Sequence, residues 1–139
     1  MKVNIYTRTD AKCPKRQEAH AIFTIETMTS KGPADKTWLE SVEGTANEAE
    51  LLAVIKALKH LTEDCEIELY TESQFVASGI GWMPGWKEKG WKTAKGQDIA
   101  HMEEWQQLDE LLTGSITVHC KEEHSYRKWQ QFELERMKK

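Results

Sequence analysis

The stretch TANEAELLAVIKAL, residues 45–58, predicts the helix around which the rest of the chain is arranged. Thr45 and Glu48 form a capping box, in which each side chain accepts a hydrogen bond from the other residue's backbone N–H. Apolar side chains then recur at helical spacing. They are Leu51, Leu52, Val54, Ile55, Leu58 and Leu61. Glu50 lies at the border of this apolar stripe, so its carboxylate is either an ordinary exposed charge or a group placed for chemistry.

Three predicted strands precede this helix. KVNIYTRT (2–9) alternates its side chains with the period of two that is typical of a strand, and AHAIFTIET (19–27) and KTWLESVE (36–43) follow the same pattern. SKGPAD (30–35) combines Gly and Pro with polar residues, which predicts the turn between the last two strands. The chain therefore opens with three strands.

Strands and helices alternate after residue 58. EIELYTE (66–72) predicts a strand, and SQFVASGI (73–80) predicts a helix that Gly79 and Gly81 should end. The remaining segments predict a helix with a projecting loop over 81–98, a helix over 99–112, a strand over 115–122 and a helix from about Tyr126. A strand that leads directly into a helix implies a crossover connection, so we expect an α/β domain with parallel strand pairs.

The composition indicates one folded domain over residues 1–139. A chain of this length can bury one core, and 39% hydrophobic with 30% charged residues is typical of a globular protein. The formal net charge of -4 means that any binding of nucleic acid depends on a local patch. We find no run of roughly 18 apolar residues and no signal-peptide pattern, so we expect a cytoplasmic protein without a membrane segment.

Two titratable residues are candidates for a site, because sites in α/β sheets form at the carboxyl ends of strands. Glu72 closes the predicted fourth strand, where a carboxylate can bind a metal or act as a general base, but can equally stabilise a helix N-terminus. His124 lies in the polar loop KEEHSYRK, where it could transfer protons or remain a solvated surface residue.

The segment GWMPGWKEKGWKTAKGQD (81–98) interleaves tryptophans with lysines. Lysines neutralise phosphates and tryptophans pack against sugars or bases, so this pattern is typical of a surface that binds nucleic acid. The alternative is that the tryptophans belong to the core and the lysines only solvate a loop. The residues concerned are Trp82, Trp86, Lys87, Lys89, Trp91, Lys92 and Lys95.

Three segments in this order resemble ribonuclease H type I: TANEAELLAVIKAL, EIELYTESQFVASGI and WKEKGWKTAKGQDIAHMEEWQQLDELL. The resemblance extends over nearly the whole chain. It implies a five-stranded mixed sheet with the strands in the order 3-2-1-4-5 and helices on both faces. It also implies cleavage of the RNA strand of RNA/DNA hybrids by two magnesium ions held by four carboxylates, the oxygen ligands that this hard cation prefers.

The resemblance places the family's helix Glu at Glu50 and its strand-end Asp at Glu72, whose side chain is one methylene longer. The first-strand Asp, in a pattern like I-[FY]-T-D-G-S, corresponds to Arg8 of IYTRTD. A guanidinium thus stands where the family has an anion that bridges both metals. Asp10 keeps the same strand parity as Arg8 but lies roughly 6–7 Å farther along an extended chain, and only a bulge would bring it back.

The last part of the resemblance is the weakest for catalysis. The fourth carboxylate of the family aligns with Phe132, Glu133 or Leu134, of which Glu133 is the plausible ligand. His124 matches the loop His of the family, although HSYRKWQQFELE replaces the Gly-rich loop that normally follows.

The positions that match the family's substrate contacts are better preserved. Asn47 and Gln74 match family residues that contact the minor groove of the hybrid, and Thr45 matches one that binds a DNA phosphate. The Lys- and Trp-rich segment 81–98 resembles the family's basic protrusion. The Gly-rich turn after the first strand is replaced by AKCPKRQEA. Binding of nucleic acid is therefore better supported than cleavage.

The charges at the metal site that the resemblance implies point the same way. Glu50 and Glu72 supply about -2 and Arg8 returns +1, a balance that does not call for two magnesium ions. We therefore expect Arg8 to form an ion pair with Glu50, Glu72 or both.

Three hypotheses follow. The first is a protein that binds RNA/DNA hybrid or related nucleic acid, with weak or lost hydrolase activity and with Arg8 in place of the metal. The second is a divergent, active endoribonuclease that uses Asp10, Glu50, Glu72 and Glu133 with Mg²⁺ or Mn²⁺. The third is a protein-interaction module that presents the tryptophan-rich segment to a partner.

Overall fold

The computed structural model describes residues 2–61, 65–112, 114–122 and 124–137. Within these ranges the chain forms strands and helices in a βββαβααβα order. They are β1 (Lys2–Thr9), β2 (Gln17–Thr29), β3 (Gly32–Gly44), α1 (Ala46–Leu58), β4 (Glu66–Thr71), α2 (Gln74–Glu88), α3 (Met102–Leu111), β5 (Ile116–Cys120) and α4 (Arg127–Met137).

The strands form one mixed sheet in the order β3-β2-β1-β4-β5, which confirms the order that the resemblance implies. β1 and β3 pair antiparallel with β2, whereas β1 pairs parallel with β4 and β4 pairs parallel with β5. The parallel pairs follow from the helices that cross between the strands. As a result, the carboxyl ends of the neighbouring strands β1 and β4 lie side by side at the same end of the sheet.

Helices cover both faces of the sheet, because alternate residues of each strand point to opposite sides. Ile5 of β1 is fully buried in the same cluster as Leu51 of α1 and Trp105 of α3. On the opposite face, the side-chain amide of Gln130 in α4 donates a hydrogen bond of 3.0 Å to the backbone oxygen of Tyr6. Gln130 is itself only 1% exposed, so this bond satisfies a buried polar group.

The predicted start of α1 is confirmed. Thr45 is the N-cap residue, its hydroxyl accepts from the backbone N–H of Glu48, and the Glu48 carboxylate accepts from the backbone N–H of Thr45 at 3.2 Å. The helix ends at Leu58, so Leu61 packs against the core from beyond its last turn.

We expect Thr45→Ala to lower the free energy of unfolding by about 1 kcal/mol, because it removes the cap of α1. Urea denaturation of the wild type and the variant measures the difference. Thr45→Ser keeps the hydroxyl and should retain most of the stability. Equal stability of the Ala and Ser variants would contradict this role for the hydroxyl.

The predicted turn SKGPAD (30–35) is too long. Only Ser30 and Lys31 form the turn, and β3 begins at Gly32 and includes Pro33, which pairs with Met28. Proline lacks the N–H that a ladder needs, but β3 is an edge strand, where one side of the backbone has no strand to pair with.

The prediction that Gly79 and Gly81 end the second helix is wrong. α2 continues through both glycines and through Pro84 to Glu88, so 81–98 contains no separate helix. The indole of Trp105 packs directly on Gly79, where an added Cβ would lie 2.1 Å from the ring. Gly79 is therefore a packing residue, and tertiary contacts override its low helix propensity.

Other boundaries shift by a few residues. α3 begins at Met102 rather than at Ile99, and β5 covers Ile116–Cys120 only. Among the described helices, none combines the length and the apolar character that a bilayer span requires.

Candidate functional site

The site begins with an ion pair between neighbouring strands. Arg8 is near the end of β1 and Glu72 directly follows β4, and these two strands pair in parallel with Tyr6 opposite Tyr70. Because side chains alternate along a strand, Arg8 and Glu72 point to the same face. The Nη1 of Arg8 lies 3.0 Å from Oε1 of Glu72, and about a fifth of each side chain is exposed (22%/22%).

A second guanidinium contacts the same oxygen. Arg127, the first residue of α4, places its Nε 2.8 Å from Oε1 of Glu72. Arg127 is not among the site residues predicted from the sequence, because the loop before it departs from the family pattern. One signal could have identified Arg127. It is a cation at the start of the predicted last helix, close to the position where the resemblance expects the fourth acidic ligand.

Glu50 projects from α1 toward the end of β1. The hydroxyl of Thr9 donates a hydrogen bond of 2.9 Å to Oε1 of Glu50, whereas Oε2 is buried and has no hydrogen-bond partner within the described ranges. Burial raises the pKa of Glu50 to about 7, although the hydrogen bonds from Thr9 and the charge of Arg8 oppose the shift. The carboxyl group is therefore no ordinary surface charge, and among the residues that the structure describes Arg8 forms its ion pair with Glu72 rather than with Glu50.

Asp10 is directed away from this ion pair and toward β2. Its Oδ1 accepts from the backbone N–H of His20 at 2.7 Å, and its Oδ2 lies 3.0 Å from Nδ1 of the same residue. Both carboxylate oxygens of Asp10 thus contact His20. Asp10 still lines a small cleft of about 100 Å³ next to Arg8. The lining consists of Arg8, Thr9, Asp10, Lys12, Gln131, Leu134 and Glu135.

The remaining predicted catalytic residues lie in other surroundings. Glu133 pairs with Arg136 of its own helix at 3.2 Å, whereas α4 faces the cleft with Gln131, Leu134 and Glu135. These three residues share one face of α4 because they are spaced by three and four positions. A helical projection around Leu134 could have identified them from the sequence.

His124 is part of an aromatic cluster on the α4 face of the sheet. Its ring lies 4.6 Å from the ring of Tyr6 and 5.5 Å from that of Tyr70, and its Nδ1 accepts from the backbone N–H of Tyr126. These contacts hold the His124 ring within the aromatic cluster. The structure thus brings Arg8 and Glu72 together, with Glu50 close to the end of β1, and leaves His124 and Glu133 in separate contacts.

The donor set does not fit the two magnesium ions that the resemblance implies. Among the described residues, no group of three or more His, Cys, Asp and Glu side chains is arranged to hold a metal ion. The Arg8 guanidinium contacts Glu72 where an acidic ligand would be needed. Glu50 alone offers a buried carboxylate oxygen without a hydrogen-bond partner in the described ranges. One such oxygen falls short of the oxygen-rich shell that magnesium requires.

The residues matched to substrate contacts lie at two helix N-termini. The Thr45 hydroxyl is used by the capping box, and Asn47 in the first turn of α1 is exposed. Gln74, the first residue of α2, is also exposed, and its amide donates to the hydroxyl of Ser78 at 2.9 Å. Asn47 and Gln74 can therefore reach a ligand, and the role of Thr45 in the helix is structural as well.

The Lys- and Trp-rich segment 81–98 contains both core tryptophans and an exposed surface of lysines and tryptophan. Trp82 is 63% exposed, whereas Trp86 and Trp91 pack against the core. Lys87 pairs with Asp109 at 3.2 Å and Lys92 pairs with Asp98. Lys89 and Lys95 are exposed. The segment thus presents one tryptophan and several lysines outward, while its other two tryptophans fix it to the domain.

Between α2 and the loop that follows it lies an apolar cavity of about 420 Å³. Phe75 and Trp82 line it on the α2 side, and Ile99 and Trp105 line it on the other. Its aromatic walls suit a flat group such as a base.

Comparison with known proteins supports the same family. The RNase H family model matches residues 1–125. The chain is 46% identical over 83 residues to a Ribonuclease H of Stutzerimonas stutzeri (strain A1501). These residues make up 59% of this chain and 55% of that protein. The chain spans about half the length of the curated relatives it matches.

Two solved structures show the same fold. LC9-RNase H1, a type 1 RNase H with the type 2 active-site motif, has a TM-score of 0.71 and 17% identity over 95% of this chain and 70% of its own. The foamy viral protease-reverse transcriptase in complex with RNA/DNA hybrid has a TM-score of 0.65 and 16% identity, over 95% of this chain and 19% of that one. Taken with the family model that matches residues 1–125, the sheet order and the helices on both faces establish that the chain belongs to the RNase H family.

Proposed function

We propose that this protein binds RNA/DNA hybrid or a related nucleic acid and that its hydrolase activity is weak or lost. One observation carries the proposal: the Arg8 guanidinium lies 3.0 Å from Glu72, in the strand position where the resemblance expects a metal-bridging Asp. A fixed cation at that position repels divalent ions and uses the charge of the carboxylate that would bind them.

Support for nucleic-acid binding comes from the surface that remains. Asn47 and Gln74 are exposed at the matched positions, and Trp82, Lys89 and Lys95 project from the segment after them. Lysines provide the phosphate contacts and an exposed indole provides a stacking surface. A structural neighbour, the foamy viral protease-reverse transcriptase, was solved in complex with RNA/DNA hybrid.

A divergent active nuclease is the second candidate. The observation in its favour is the buried Oε2 of Glu50, which has no hydrogen-bond partner in the described ranges and could become a ligand of Mg²⁺ or Mn²⁺. This candidate requires Glu72 to leave Arg8, and Asp10 to exchange His20 for the metal.

A protein-interaction module is the third candidate, in which the exposed Trp82 contacts a partner.

A binding and cleavage assay separates these candidates. We expect the wild type to bind an RNA/DNA hybrid in EDTA, with an affinity that falls as salt rises, because phosphate contacts release counterions. In magnesium or manganese we expect no cleavage above that of Glu50→Gln. Cleavage that Glu50→Gln abolishes would establish the active nuclease, and absence of binding to hybrid, duplex and single strands would favour the protein-interaction module.

The double variant Arg8→Asp, Glu72→Asp tests the role of Arg8. It replaces the ion pair by two acidic side chains beside Glu50, so we expect divalent-ion binding that the wild type lacks. Titration calorimetry with manganese measures this gain. Equal heats for the wild type and the double variant, both folded by circular dichroism, would show that Arg8 is not what excludes the metal.

A further inference from the structure

We propose that Arg8 and Lys12 bind a backbone phosphate of nucleic acid directly, without a divalent ion. The inference rests on the proposed function and names the chemistry at one point of the binding surface. It starts from the mismatch between the implied metals and the residues present: the end of β1 carries the Arg8 guanidinium where the family pattern requires an anion.

The two cations line the same cleft. Arg8 at the end of β1 and Lys12 in the following loop both border the space of about 100 Å³ beside α4. A space of this size can hold a phosphate group.

Arg8 has hydrogen-bonding capacity to spare. Its guanidinium carries several N–H donors in a planar fork, and within the described ranges it donates one hydrogen bond, to Oε1 of Glu72. Arg127 shares that oxygen, so the negative charge of Glu72 is divided between two guanidiniums. The other donors of Arg8 have the geometry that binds phosphate oxygens in pairs.

Lys12 supplies the second charge. The side chain is exposed, and its ammonium forms no ion pair with any residue that the structure describes. Its backbone N–H contacts the amide oxygen of Gln17, which places the residue within the loop. Because the Lys12 side chain is flexible, its ammonium can contact a phosphate that the Arg8 guanidinium binds, without a fixed geometry of its own.

The acidic residues of the cleft do not remove this preference for an anion. Both oxygens of Asp10 face His20, through its backbone N–H at 2.7 Å and its Nδ1 at 3.0 Å. Glu135 lies on the exposed rim, and its Oε1 accepts a long hydrogen bond of 3.4 Å from Gln131. Removing the charge of Glu135 should therefore strengthen binding, since only its repulsion of the phosphate is lost.

Fluorescence anisotropy with a labelled RNA/DNA hybrid in EDTA tests the proposal, using the full chain over a series of salt concentrations. We expect Lys12→Gln and Arg8→Gln each to weaken binding by about five- to tenfold near 0.1 M salt and to reduce the salt slope by about one. Glu135→Gln should tighten binding by about twofold. Lys31→Gln, an exposed lysine in the turn between β2 and β3, is the charge-matched control and should change affinity by less than about twofold.

The outcomes distinguish the two levels of the proposal. If the wild type does not bind the hybrid in any buffer, the proposed function fails and this inference fails with it. If the wild type binds but Lys12→Gln, Arg8→Gln and Lys31→Gln have the same affinity and salt slope, only the phosphate site is overturned. Loss of wild-type binding on chelation of divalent ions would also overturn it. Tighter binding by Glu135→Gln supports the site without depending on a damaged variant.

Discussion

In EDTA, Glu50 is expected to contribute a fall of about 3 kcal/mol in the free energy of unfolding as the pH rises from about 4.5 to about 8, and Glu50→Gln is expected to remove this contribution. The cause is the buried carboxyl group of Glu50, whose pKa is raised from 4.5 to about 7 in the folded protein. EDTA keeps divalent ions from favouring the charged form.

The direction of the effect follows from proton binding. Between pH 4.5 and about 7, the folded protein holds a proton on Glu50 that the unfolded chain has released. Stability is therefore complete at low pH and is lost as the pH rises through the folded-state pKa. A surface carboxylate in an ion pair would show the opposite trend, with stability lost as the pH falls.

Denaturant unfolding at a series of pH values measures this slope. His119 contributes a fall in the same direction, because hydrogen bonds to Glu68 and Glu122 raise its pKa against the effect of burial. The difference between the wild type and Glu50→Gln therefore isolates Glu50. Glu18→Gln, an exposed carboxylate of β2, is the control and should leave the slope unchanged. Parallel curves for the wild type and Glu50→Gln would show that Glu50 is charged in the folded protein.

Gly79→Ala is expected to lower the free energy of unfolding by about 3 kcal/mol, because the new methyl group collides with a buried side chain. An ideal Cβ at Gly79 would lie 2.1 Å from Cη2 and 2.3 Å from Cζ2 of Trp105. Trp105 is only 1% exposed and is surrounded by the core, so the ring cannot move away without disturbing other contacts.

Gly81→Ala in the same helix is the matched control. No atom lies within 4 Å of a Cβ built at Gly81, so the substitution should stabilise the protein by about 0.5–1 kcal/mol through better helix propensity. Urea denaturation of both variants measures the two effects. Similar changes at the two positions would contradict the close packing of Trp105 on Gly79.

Much of the site could be anticipated from the sequence, because resemblance assigns residues to positions. The placement of Arg8 and Glu72 at adjoining strand ends follows from the family pattern and from strand parity, and the family pattern also places Glu50 of α1 close to them. Arg127 and the face of Gln131, Leu134 and Glu135 could not be assigned in this way, since the last loop departs from that pattern. Their approach depends on how α4 docks against the sheet.

The sequence by itself determined those local elements whose signals lie within a few residues, above all β1 and α1. The capping box of Thr45 and Glu48, the alternation in KVNIYTRT and the helical spacing after Glu50 act over a few residues, and each element formed where these signals predicted it. Only the tertiary structure decided the state of the individual groups. Burial sets the pKa of Glu50, the pairing of β1 with β4 joins Arg8 to Glu72, and Trp105 makes Gly79 part of a continuous helix. These outcomes depend on residues distant in the chain, because desolvation, ion pairing and close packing are set by spatial neighbours.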